Sequence, residues 1–181
     1  LMNKVLEVIE AYKLFSFNLN KYEILIHPQS LIHAIVLFNN GQTKFLYHET
    51  DMKIPIANAI FENKININTL VKKEGNFLKN LKNLKFEKVD KKRFPIVTIL
   101  QKMRFLNSGS IILNASNEIL VESFIKNKIS FKAIYQYLKQ LFNDRDFNKY
   151  AIKKTPSVKE IYEIDGWTRK RTIEIINKKS W

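Results

Sequence analysis

Residues 31–47 read Leu31-Ile32-His33-Ala34-Ile35-Val36-Leu37-Phe38-Asn39-Asn40-Gly41-Gln42-Thr43-Lys44-Phe45-Leu46-Tyr47. Residues 31–38 are nearly all apolar and rich in branched side chains, as a strand covered on both faces would be. Asn39-Asn40-Gly41 tolerates positive φ and predicts a hairpin turn, with 42–47 as the return strand. Upstream, 22–27 reads as a short strand stopped by Pro28. Residues 2–15 read as an amphipathic helix, with Val5, Leu6, Ile9, Leu14 and Phe15 apolar around Lys4, Glu7, Glu10 and Lys13. Downstream, 53–61 is expected to be a short helix. Nine lysines and several asparagines then fall between 62 and 93 without a clean period, which predicts a connecting segment with little structure of its own. The tail is helical. Ile96, Ile99, Leu100 and Met103 keep helical spacing after Pro95, a good first-turn residue, and Asn107-Ser108-Gly109 is expected to close that helix. Leu113-Asn114-Ala115-Ser116-Asn117-Glu118 is expected to open the next one, its polar side chains capping backbone groups. Ile134, Tyr137, Leu138 and Leu141 repeat the spacing after Ser130. Ser157-Val158-Lys159-Glu160 forms a capping box, and Asp165 is available to cap a last helix. The expected fold is α+β: a helix, strands with a β-hairpin and a short helix, then a linker, then an all-α bundle.

Composition narrows the function. The chain has 181 residues, 45% hydrophobic, enough for a packed core. It has no cysteine, which removes disulfides, zinc-thiolate sites and a cysteine nucleophile. Its four glycines, Gly41, Gly75, Gly109 and Gly166, are too far apart for a dinucleotide turn or a Walker loop. The formal charge is +14, carried by 26 lysines and only 5 arginines with acids between them. A groove-reading surface would favour arginine, so specific nucleic-acid binding is not expected. Residues 24–38, the apolar part of the longest stretch without formal charge (24–43), are too short and too polar for a membrane span. The chain begins Leu1-Met2 inside a helical pattern, which predicts a fragment of a longer reading frame.

Asn3 and Lys4 fall at the start of the first helix, where free backbone N–H groups and the positive dipole end favour a phosphate. Glu7 lies four residues after Asn3 and three after Lys4, on the same face, roughly 5–6 Å along the axis at about 1.5 Å per residue. Read from the residues alone, this is equally a solvated helix face with one ion pair. His27 and His33 flank a Pro-Gln-Ser turn. With His48 they make three histidines, but no carboxylate is spaced to complete a metal site with them.

Five stretches occur together in one order: Met2-Asn3-Lys4-Val5-Leu6-Glu7, His27-Pro28-Gln29-Ser30-Leu31-Ile32-His33, Asp51-Met52-Lys53-Ile54-Pro55-Ile56, Arg93-Phe94-Pro95 and Leu113-Asn114-Ala115-Ser116-Asn117-Glu118. In this order and spacing the chain resembles the 1-deoxy-D-xylulose 5-phosphate reductoisomerase family, over essentially its whole length. The resemblance implies the second half of such an enzyme: residues 1–61 as the end of the catalytic domain, 62–94 as a linker and 95–181 as the C-terminal helical domain. It implies Asn3, Lys4 and Glu7 as substrate-binding residues, with Glu7 also a ligand of magnesium or manganese. It places His33 near the active site, as a candidate catalytic residue, and Met52 near the nicotinamide of NADPH. It implies a homodimer in isoprenoid biosynthesis by the non-mevalonate route, with the hairpin a candidate for the dimer sheet. The location would be cytoplasmic in a bacterium and a plastid or apicoplast in a eukaryote. The NADPH domain, the lid and the other metal ligands would precede Leu1, so this chain alone is expected to be inactive. Three departures stand out: Val5 where the family commonly has glycine, Thr50 in place of a proline, and Tyr47-His48 in place of Leu-Gly. Two other classes stay open on composition, a basic helical nucleic-acid module and an inactive structural or dimerisation domain.

Overall fold

A computed structural model describes residues 1–62, 64–71, 81, 83–103 and 106–178. The elements in chain order are α1 (Met2–Phe15), β1 (Leu25–Ile26), β2 (Ile32–Leu37), β3 (Thr43–Tyr47), α2 (Lys53–Ile60), β4 (Glu87–Lys88), α3 (Ile99–Met103), α4 (Gly109–Ile125), α5 (Phe131–Leu141), α6 (Phe147–Tyr150) and α7 (Val158–Asn177). The fold is α+β, short strands followed by a helical bundle. The expected division at 61 and 94 runs along the chain; in space the chain groups differently. Leu1–Ile24 and Asp90–Trp181 form one compact unit, and Leu25–Val89 a second.

The helical unit is built around α4. Ile112, Leu113 and Leu120 of α4 are fully buried together with Leu138 of α5, and Ile164, Ile175 and Ile176 of α7 join the same cluster. Small polar residues complete this interior. The Ser116 hydroxyl donates to Ile112 O at 2.6 Å, Thr168 to Ile164 O and Thr172 to Thr168 O at 2.7 Å each. Each hydroxyl is thereby satisfied within its own helix, so these residues are buried without an unpaired polar group. Outside, Arg169 donates to Asp165 of its own helix at 2.7 Å and to Glu118 of α4 at 2.6 Å. Asp165 therefore pairs with a side chain instead of capping a last helix, and α7 runs through it unbroken.

Helix starts follow local chemistry. Ser130 accepts from Ala133 N–H at 3.3 Å. The Ser157/Glu160 capping box forms in full, and Lys154 pairs with Glu160 at 2.8 Å. Lys154 and the Ser157 N–H hold the Glu160 carboxyl down at about 2. Asn107-Ser108-Gly109, expected to end a helix, instead stands at the entrance of α4. Ser108 does not cap that helix; its hydroxyl donates to Tyr150 O and accepts from Ile152 N–H, both at 2.8 Å. The motif 113–118, expected to open a helix, lies inside α4 because Leu113, Ala115 and Ser116 are its buried face.

The second unit holds two antiparallel pairs, β1 with β4 and β2 with β3. The hairpin turn forms at Asn39-Asn40-Gly41, where Gly41 takes φ +84° and Asn40 Oδ1 accepts from Gln42 N–H. Residues 31–38, expected to be covered on both faces, are not. Val36, Leu37, Phe45 and Leu46 are 48%, 77%, 54% and 56% exposed. Among the described residues of the segment after 62, 83–88 are more structured than their composition predicts. β4 pairs with β1, and the Gln29 side chain brackets residue 84 between two backbone bonds: its Nε2 donates to Asn83 O at 2.7 Å, and its Oε1 accepts from Lys85 N–H at 3.2 Å. His27 bonds Lys85 O at 2.7 Å and stacks on Phe86.

Two glycines in the helical unit give a test of opposite sign. A Cβ at Gly109 would run into the Met103 sulfur and come within 3.3 Å of Leu106, whereas one at Gly166, in the middle of α7, meets nothing. Gly109→Ala is expected to lower stability by about 1–3 kcal/mol. Gly166→Ala is expected to raise it by about 0.5–1 kcal/mol through helix propensity. Urea denaturation followed by circular dichroism checks both.

Candidate functional site

Asn3, Lys4 and Glu7 lie in the first two turns of α1. Leu1 at the N-cap contributes no side-chain bond, and the first helical bond runs from Val5 N–H to Leu1 O. The N–H groups before Val5 have no acceptor within the helix, as at any helix start. Lys4 Nζ meets Glu7 Oε2 at 2.8 Å, with the two side chains 44% and 53% exposed. An exposed pair three residues apart contributes only about 0.2–0.5 kcal/mol, so a phosphate or a cation would displace it at little cost. The pair is the bland feature read from the residues, and it leaves both side chains free to exchange partners. The other face of α1 is anchored by Val5 and Ile9, buried in the helical core.

His33, Asp51 and Met52 belong to the second unit. His33 sits where the β2–β3 register shifts between Ile32 and Ala34. Its ring lies flat on that of His48, with centroids 3.6 Å apart and planes 6° apart. His33 Nε2 bonds His48 O at 3.1 Å, and His48 Nδ1 bonds Glu49 O at 2.6 Å. The strand histidines are thus hydrogen-bonded, and among the described residues no three of His, Asp and Glu converge on a metal-sized site. Asp51 Oδ1 accepts from Lys53 N–H at 2.8 Å, closing the turn that starts α2. Met52, at the N-cap of α2, is 68% exposed and is no core methionine.

The donor chemistry fits one part of a divalent-cation site. Glu7 supplies a hard, half-exposed carboxylate suited to magnesium or manganese. Its co-ligands would have to come from outside the described residues.

Residues 48–171 match the family model described as the DXP reductoisomerase C-terminal domain. The chain belongs to the 1-deoxy-D-xylulose 5-phosphate (DXP) reductoisomerase family. It is 41% identical over 170 residues to 1-deoxy-D-xylulose 5-phosphate reductoisomerase of Pelagibacter ubique, covering 92% of this chain and 42% of that protein. It is 35% identical over 185 residues to the enzyme of that name from Wolbachia pipientis of Culex pipiens, covering 99% and 44%. Among solved structures, a DOX-P reductoisomerase in complex with NADPH, fosmidomycin and magnesium superposes with a TM-score of 0.87 at 30% identity, over 97% of this chain and 44% of the other. The Zymomonas mobilis reductoisomerase in complex with NADPH gives 0.80 at 29%, over 99% and 45%. The chain thus spans less than half the length of the family members it matches.

Against the reductoisomerase pattern, the Val5 departure has a structural explanation. Its side chain is fully buried in the helical core and does not crowd the helix entry. The sequence pattern pointed at His33 but not at its partner; the signal was there, since His48 is itself one of the departures. Nothing in the structure explains Thr50. Restoring glycine at position 5 is expected to lower stability by roughly 2–4 kcal/mol, the sum of lost valine burial and glycine's helix cost. Thermal or urea unfolding of Val5→Gly reads this directly.

Proposed function

We propose that this chain forms the closing part of a 1-deoxy-D-xylulose 5-phosphate reductoisomerase, with 1–61 completing the catalytic domain, 62–94 linking and 95–181 forming the helical domain. The whole enzyme rearranges the ketose phosphate and reduces the product with NADPH to 2-C-methyl-D-erythritol 4-phosphate, in non-mevalonate isoprenoid biosynthesis. The observation that carries this reading is the start of α1, where Asn3, Lys4 and Glu7 stand within the first two turns of a helix whose other face is fixed in the core. Asn3, Lys4 and the first-turn N–H groups hold the substrate phosphate, which supplies binding energy remote from the reacting atoms. Glu7 turns from Lys4 to the divalent cation, magnesium or manganese, which polarises the carbonyl and hydroxyl oxygens when bound. His33, at the strand irregularity, is the candidate catalytic residue, and the exposed Met52 thioether offers the nicotinamide a soft apolar surface. NADPH itself is held mainly by residues upstream of this chain. The named relatives are bacterial, which supports a cytoplasmic setting. Among the described residues no helix is long and apolar enough to cross a membrane.

The test joins this chain to the N-terminal part of the Pelagibacter ubique relative and measures steady-state kinetics across a metal titration. Lys4→Ala is expected to raise KM and change kcat little, since the phosphate contact is equal in ground and transition states. Glu7→Gln keeps size and helix propensity but loses the charge. Activity should fall by about 10²-fold or more, with partial rescue at high metal. Near-native activity of Glu7→Gln at low metal, with unchanged circular dichroism, would mean that Glu7 is only a solvated helix residue.

The exposed hairpin supports a homodimer. Leu37 and Phe45 lie on one face of the β2–β3 ribbon, and Val36 and Leu46 on the other, all half or more exposed apart from Val36 at 48%. A two-stranded ribbon alone is marginal in water, and apolar area of this kind marks an interface. Sedimentation velocity of the joined protein is expected to show a dimer that Phe45→Lys or Leu46→Lys converts to monomer. A monomeric parent protein at tens of micromolar (a range chosen to catch weak dimers, about 10⁻⁵ M) would remove the dimer from the proposal.

A further inference from the structure

His33 and His48 form the closest aromatic stack described in the structure, and its hydrogen bonds fix more than position. A carbonyl oxygen can only accept, so the bond from His33 Nε2 to His48 O requires the proton on Nε2. The neutral His33 ring then carries its lone pair on Nδ1. By the same argument His48 carries its proton on Nδ1, donated to Glu49 O. Two consecutive backbone carbonyls thus hold two stacked rings in opposite tautomers. The carbonyl that His33 uses is itself held in place, because His48 N–H donates to Leu31 O at 3.1 Å across the base of the hairpin. The irregularity between Ile32 and Ala34 takes His33 out of strict strand alternation, as bulges do where a side chain must be re-aimed.

We propose that His48 is a positioning residue for His33. Its ring, lying 3.6 Å above, and its backbone carbonyl together hold the His33 imidazole in one orientation as the Nε2–H tautomer. The inference rests on the reading of His33 as an active-site residue given above, and it adds the residue through which that ring is set. A flat ring stacked on a second ring cannot rotate about its Cβ–Cγ bond without losing the contact. Position 48 is one where this chain departs from the family's usual glycine, and glycine can supply the carbonyl but not the ring.

The test has a spectroscopic and a kinetic arm. Long-range ¹H–¹⁵N spectra of this chain, with histidine ring nitrogens labelled and the rings neutral, are expected to show His33 protonated on Nε2 and His48 on Nδ1. His33 found as the Nδ1–H tautomer overturns the proposal without any variant. In His48→Ala the His33 nitrogens should move toward the averaged values of a tautomer mixture, while His48→Phe, which keeps a stacking ring, should restore the parent values. Unchanged His33 nitrogens in His48→Ala overturn it. Should His48→Ala fail to fold, the parent spectrum and His48→Phe decide. In the joined enzyme, His48→Ala is expected to lower kcat by about 3–10-fold with little change in KM, the size of a modest misorientation. It should cost nothing further in a His33→Ala background. Additive losses would show that His48 does not act through His33. An inactive joined parent enzyme would count against the enzyme reading alone, because the tautomer measurement stands without turnover.

Discussion

Burial of Val5 and Ile9 is the contact on which the clamp depends. These two side chains fix one face of α1 in the core built by α4, α5 and α7, and the opposite face is thereby set by helical geometry alone. Asn3, Lys4 and Glu7 need no scaffold of their own. Four residues of spacing and a 3.6-residue turn put them side by side once the apolar face is committed. The core in turn relies on α4, whose interior face combines fully buried Ile112, Leu113 and Leu120 with Ser116, a hydroxyl bonded within its own helix. A bulky polar residue at Ser116 would have no such internal acceptor within reach, and the cost of an unpaired buried group is about 1–3 kcal/mol.

Charge plays a different part in each place. The Lys4–Glu7 pair is weak because water screens it, which suits side chains that must change partners. Arg171 is tied to Asp144 at 2.7 Å and Glu174 at 2.6 Å, with both Arg171 and Asp144 largely shielded. Burial alone would raise the Asp144 carboxyl; the Asp146 N–H and the Arg171 guanidinium outweigh it and leave the group below the usual carboxylate range. That pair holds the turn after α5 to α7 and has no reason to exchange.

Periodicity carried most of the fold. α1, the hairpin, α2, α5 and the capping box of α7 were all legible, because each is decided by residues within one or two turns of one another. What escaped was decided at a distance. Ser108 looked like part of a helix-ending Asn-Ser-Gly, yet its hydroxyl is engaged by Tyr150 and Ile152, more than forty positions on in the sequence. Asp165 looked like a cap and is half of an ion pair. Gln29 read as a turn residue and serves as a surrogate strand for 83–85. Of the candidate site, the face of Asn3, Lys4 and Glu7 was readable from spacing, and the family pattern pointed to His33 and Met52. His48 stood out only as a departure from the family pattern; that its ring stacks on His33 was not readable, since stacking across a hairpin depends on register and on an irregularity that composition does not reveal.

The hairpin carries one more implication. Ile35, Leu37 and Phe45 lie on one side of the ribbon, and Ala34, Val36 and Leu46 on the other, by their cross-strand pairing. Large apolar groups are exposed on both sides. One neighbouring surface can cover only one side. If both are to leave water, the ribbon must be the middle layer of a three-layer stack, with two distinct coverings. A ribbon of this kind is a place where assembly is counted: with one covering in place it remains half-wet, and only the second completes it.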